Sequence, residues 1–176
     1  MTDSSEPTLA AGSQATRELA VAEWLLVAAH NADEAVTDWR NTGLAVLECG
    51  GVFAALRIPA LLVVAAARTS HPGDVAEYLA GALHGGPVIV SANGDQYYAL
   101  VPPSTAKRKL PHGIECLTRS SLLFVPRPDL TDPNQHAHTS YWAVPMDGPG
   151  ALCQPDAVLQ VATVGRFRHT QQGGDQ

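Results

Sequence analysis

Partway along this chain the spacing of its apolar residues changes, and that change limits the folds open to it. Over residues 15–29, Leu19, Ala22, Leu25, Leu26 and Ala29 recur at three- and four-residue steps. That spacing makes one buried helix face, with Arg17, Glu18 and Glu23 elsewhere on the wheel. A second short helix is expected over residues 33–40, presenting Trp39 and ended by Gly43. Beyond it the apolar runs shorten. Residues 43–49 and 52–58 are parted by Gly50-Gly51 and read as a hairpin. Residues 59–68 form a helix with Pro59 in its first turn, and residues 74–83 a further helix closed by His84-Gly85-Gly86. Residues 87–91 and 96–101 are strands around the tight turn Ala92-Asn93-Gly94-Asp95. Strands follow at 114–117, 122–125 and 139–144, and residues 155–167 close the chain as a helix. Helices before and between hairpins predict an α+β domain, a mostly antiparallel sheet with flanking helices.

No linker or internal repeat divides the chain. The expected organisation is one domain over residues 15–168 between disordered tails, 1–14 and 169–176, the second ending Gln-Gln-Gly-Gly-Asp-Gln. The first tail lacks the charge and apolar layout of a signal peptide, and the most apolar stretch, residues 58–67, is too short to span a bilayer. A cytoplasmic protein with no membrane contact is the expectation. Cys49, Cys116 and Cys153 are odd in number, include no C-x-x-C pair and sit among apolar neighbours, so they read as reduced core thiols.

Chemistry-bearing motifs are sparse. Neither a G-x-x-x-x-G-K nor a G-x-G-x-x-G phosphate loop occurs, and Ser120-Ser121 has no evident neighbouring base. His136 and His138 have the spacing of a strand chelate, yet Asp132-Pro133-Asn134 before them reads as loop, so no metal is assigned. The net charge of −6 argues against a protein that coats nucleic acid. A local patch is still open to it. Lys107, Arg108 and Lys109 form the only run of cations, and Arg119 and Arg127 bracket the 122–125 strand. If the 107–109 loop folds over that strand, the five converge as a site for phosphate. The plainer reading is a solvated strand edge guarded by Lys and Arg.

The order of segments resembles the N-terminal domain of bifunctional DNA primase/polymerases of the archaeo-eukaryotic primase superfamily, and more closely its small, stand-alone bacterial members. The resemblance covers about residues 21–167. It is carried by Asp38-Trp39-Arg40, Gly43-Leu44-Ala45-Val46, the 52–58 strand and Gly86-Pro87-Val88. Asn93-Gly94-Asp95-Gln96-Tyr97-Tyr98, Gly113-Ile114-Glu115, Leu123-Phe124-Val125-Pro126 and Tyr141-Trp142 complete it. Active members of that family hold two divalent cations on an acidic pair on the second strand. The resemblance places that pair at Arg57 and Pro59, a phosphate-contacting histidine at Gln96, and a third acid at Glu115. One carboxylate of three remains, and no Asp or Glu occurs over residues 52–67.

The resemblance therefore implies a catalytically degenerate primase-polymerase-like domain with a binding or regulatory role, contacting nucleotide or single-stranded DNA through the basic patch. Two other readings stand beside it. One is a protein-interaction or structural domain with no nucleotide site. The other is a working nucleotidyltransferase with displaced ligands, and only that reading needs Mg²⁺ or Mn²⁺. Arg57 either faces an open pocket, where it could replace the metal's charge, or pairs with Glu115 across adjacent strands. The pair is the favoured expectation.

Overall fold

A computed structural model describes residues 6–134 and 139–174. Its elements run α1 (Glu6–Leu26), α2 (Ala32–Thr42), β1 (Leu44–Glu48), β2 (Ala54–Pro59), α3 (Ala60–Ala67) and α4 (Pro72–Ala82). They continue with β3 (Val88–Val90), β4 (Gln96–Val101), a 3₁₀ turn (Pro103–Lys107), β5 (Glu115–Leu117), β6 (Leu122–Pro126), β7 (Tyr141–Val144) and α5 (Pro155–Gly173). Five strands form one sheet in the order β5-β2-β4-β3-β7, and β1 and β6 form a separate two-stranded ribbon. Every pairing is antiparallel, so the fold is α+β as the sequence implies.

The five-stranded sheet is covered on both faces, which explains the near-continuous apolar run Ala54-Ala55-Leu56 in β2. One face, with Leu56, Ile58, Val88 and Val101, packs on Leu62 and Val63 of α3, Leu79 of α4 and Val158 of α5. The other, with Ala55, Ile89, Leu100 and Trp142, packs on Leu25 of α1, Trp39 of α2, and Leu47 and Val125 of the ribbon. α3 is apolar all round and packs between the sheet and α5 through Leu62, Val63 and Ala66, leaving Leu61 exposed. There a Cβ on Gly165 would lie 2.0 Å from the Leu62 carbonyl oxygen, so only glycine permits this approach of the two backbones.

Two indoles tie the layers together. Trp39 Nε1 donates to the Val125 carbonyl at 3.0 Å, and Trp142 Nε1 of the large sheet donates to the Pro126 carbonyl at 2.9 Å.

The structure corrects the sequence reading in three places. The 43–49 and 52–58 strands do not pair with each other: β1 pairs with β6, and β2 with β4 and β5. Gly50-Gly51 and residues 118–121 are instead two of the connections at which the chain changes sheets. These crossings touch, since Cys49 N–H donates to the Ser121 carbonyl at 2.9 Å. Gly50 has φ +95°, and a Cβ there would lie 2.5 Å from the Arg119 nitrogen. Second, α1 is helical from Glu6 and α5 to Gly173, where tails over 1–14 and 169–176 were expected. Residues 11–17 are exposed. Ala11, Gln14, Ala15 and Arg17 favour helix, and α1 extends through them although they bury little. Third, Leu19 is 61% exposed, and the buried residues of α1 are Val21 and Leu25, followed by Ala28 in the turn beyond it. His136 and His138 lie outside the described residues. Among the described residues no helix is long and apolar enough to cross a membrane.

Candidate functional site

Strand alternation sends Ala54, Leu56 and Ile58 of β2 into the core beneath the helices, and turns Ala55, Arg57 and Pro59 to the opposite face. The register then sets Arg57 opposite Glu115 on β5 and Tyr98 on β4, with Pro59 opposite Gln96. Arg57, Pro59, Gln96 and Glu115 thus share one end of one sheet face, beyond the part covered by α1 and the ribbon. Arg57 Nη2 donates to Glu115 Oε2 in a direct ion pair. The two side chains are 42% and 56% exposed, so water still reaches both. Of the two sequence alternatives, the cross-strand pair is the one observed.

Around the pair the donor set is poor for a hard cation. Divalent magnesium takes oxygen ligands, several of them anionic. Here Pro59 offers no side-chain donor, Glu115 is engaged by a guanidinium, and Gln96 supplies a neutral amide. The Gln96 Oε1 atom is buried without a hydrogen-bond partner. Its strand start is fixed locally: Gln96 N–H donates to Ser91 Oγ at 3.1 Å, and Ser91 Oγ donates to Asn93 Oδ1 at 2.7 Å. The Asp95 carbonyl then accepts from Ala60 N–H at 2.8 Å, which locks the β3–β4 turn to the start of α3. These residues do not fit a two-metal centre, and no group of three or more His, Cys, Asp or Glu suited to a metal gathers among the described residues.

The five candidate cations are not brought together. Arg108 Nη2 donates to Asp156 in the first turn of α5. Leu110 and Ile114 pack into the core under α5, so residues 107–109 lie on the helical side of the sheet, opposite the Arg57 face. Arg119 sits in the 118–121 crossing beside Gly50. Arg127 lies at the far end of β6, about 17 Å of strand away. It is held by Asp129 at 2.5 and 3.0 Å and by the Trp39 carbonyl at 3.2 Å, and the Asp129 carboxylate raises its pKa further. Among the described residues, Lys107, Lys109 and Arg119 carry no ion pair. The convergence of all five fails because the strands at 114–117 and 122–125 belong to different sheets.

The thiols and phenols are set for packing. Burial pushes Cys153 up to about 12 and raises Cys116, and burial followed by the nearby Cys116 thiol pushes Cys49 up to about 11. Burial, with Tyr141 beside it, pushes Tyr97 up to about 12. None is poised as a nucleophile near neutral pH.

Two features escaped the sequence reading. A hollow of about 860 Å³ between α3 and the end of α5 is lined by Arg68, Arg168 and His169, and there Arg168 Nη1 donates to the Ala66 carbonyl near the α3 C-terminus. The second is the outer face of the ribbon. Val46 lies opposite Phe124 and Glu48 opposite Leu122, all pointing away from the core. Val46 is 40% exposed, Leu122 and Phe124 62% each. The run Leu-Leu-Phe-Val-Pro holds no polar residue, so nothing in it marks which of its side chains is exposed.

Compared with protein-family models, curated proteins and solved structures, the chain finds no match.

Proposed function

We propose that this chain is a catalytically degenerate primase-polymerase-like domain that works by binding rather than by nucleotidyl transfer. The Arg57–Glu115 ion pair carries this reading. The primase-polymerase resemblance needs carboxylates on this part of β2 to neutralise a triphosphate through metal ions. A guanidinium there repels such ions, and it occupies the one carboxylate that remains on the neighbouring strand.

Primer synthesis and template extension with the full chain, under Mg²⁺ and separately Mn²⁺, test the proposal. No product under either metal is expected; metal-dependent product that is lost in Glu115→Gln would overturn it.

A second reading, that the bound partner is a protein, is favoured by the scatter of the cations and by the exposed Val46, Leu122 and Phe124. Titration with nucleotides and single-stranded DNA at low salt separates the two partners, since phosphate contacts are strongest there. Saturable binding weakened by Lys107→Glu or Arg119→Glu supports a nucleic-acid ligand. Absent binding supports the protein.

A further inference from the structure

A two-stranded ribbon buries one face and leaves the other to solvent, where polar side chains are the rule. The β1–β6 ribbon departs from that rule at Val46, Leu122 and Phe124, which are neighbours across the strands. Beside them lies a hollow of about 310 Å³, lined by Val46 and Leu122 together with Glu34 and Asp38 of α2 and Glu48 of β1. Glu34 and Asp38 stand one helical turn apart and face the same way. Among the described residues none of these three carboxylates is in an ion pair. An apolar stripe rimmed by unpaired carboxylates is thus continuous across the ribbon and α2.

We infer that this surface docks a basic, amphipathic segment of a protein partner, its apolar side chains covering Val46, Leu122 and Phe124 and its Lys or Arg residues reaching Glu34, Asp38 and Glu48. Charge selects this occupant. Nucleic acid and anionic membrane would bring phosphates against three carboxylates. A second copy of a chain with net charge −6 brings a like-charged surface. A basic segment gains from both parts of the site, because burial of exposed aromatic and aliphatic side chains supplies affinity and the acidic rim supplies orientation and rate. The inference rests on the reading of the chain as a binding domain and names the kind of partner.

The test uses the full chain and a synthetic amphipathic peptide of about 18 residues built from Leu and Lys, with a Leu and Glu peptide of the same pattern as control. Amide shifts are followed by NMR at low salt and at about 0.5 M salt. The expected result is saturable binding of the Lys peptide, with shifts centred on β1, β6 and the first turns of α2, and no binding of the Glu peptide. Leu122→Ser with Phe124→Ser should weaken it about tenfold, and Glu34→Gln with Asp38→Asn should weaken it and flatten its salt dependence. The second pair alters only surface carboxylates, and so keeps the test if the first pair fails to fold. Shifts centred elsewhere, or affinity unchanged in the folded variants, would overturn the inference. So would a concentration-dependent dimer abolished by Phe124→Ser, because a second copy would then cover the face. Primer synthesis by the same preparation would sink the non-catalytic reading while leaving the peptide map as it is, so the two failures are distinguishable.

Discussion

Arg57 and Glu115 meet on adjacent strands but are each about half exposed, and solvent screening keeps such pairs to about 0–1 kcal/mol. A double-mutant cycle of Arg57→Ala and Glu115→Ala, read by urea unfolding, is expected to give a coupling within that range. The close approach at Gly165 is the more sensitive position. Gly165→Ala places a methyl 2.0 Å from the Leu62 carbonyl oxygen, so α3 and α5 must separate, with an expected loss of about 2–4 kcal/mol. A shift of the unfolding midpoint to lower urea checks it. The Cys153 thiol has a sign of its own. Its pKa rises from 9.0 in the unfolded chain to about 12 when folded. Below pH 9 both states keep the proton; between pH 9 and 12 the unfolded chain releases it first, so stability falls as pH rises through that window. Denaturant midpoints measured from pH 7 to 10.5 should be flat at first and then decline, more steeply in the wild type than in Cys153→Ala.

At the scale of elements, local signals located helices and strands well and pairings poorly. The breaks at Gly43, His71-Pro72 and Gly85-Gly86 lie at the ends of α2, the start of α4 and the approach to β3, because proline and glycine act on the backbone where they stand. The Gly50-Gly51 turn misled. Gly50 N–H does donate to the Phe53 carbonyl at 2.7 Å, closing a tight turn, but the chain leaves it into another sheet. A turn motif states that the chain reverses, not which strand it meets next. α1 misled in the opposite direction, since residues 11–17 are helical yet exposed. Gly12 lies in that exposed part with nothing within 4 Å of an added Cβ. Gly12→Ala should therefore stabilise α1 by about 0.5–1 kcal/mol, visible as greater helical ellipticity.

Across the whole molecule, the five-stranded sheet separates two chemistries. Its helical side holds Arg108, with Lys107 and Lys109 beside it, against the start of α5. Its other side holds the Arg57–Glu115 pair at one end and the ribbon, with its acidic rim, over the remainder. The polar pair was anticipated through the family resemblance, which sets Arg57 and Glu115 at positions of one site and so close to one another. The ribbon surface was not, because exposure of Val46 and Phe124 depends on β1 finding β6 and on which face of that pair meets the core. The dispersal of the cations has the same origin. The central claim is that the β2–β5 face does not gather a metal and a nucleotide. The most direct measurement is a titration with Mn²⁺ in the presence of a nucleoside triphosphate, followed by paramagnetic broadening of backbone amides. The account predicts that the amides of Arg57, Gln96 and Glu115 stay sharp at stoichiometric metal; saturable broadening centred on Glu115 would contradict it.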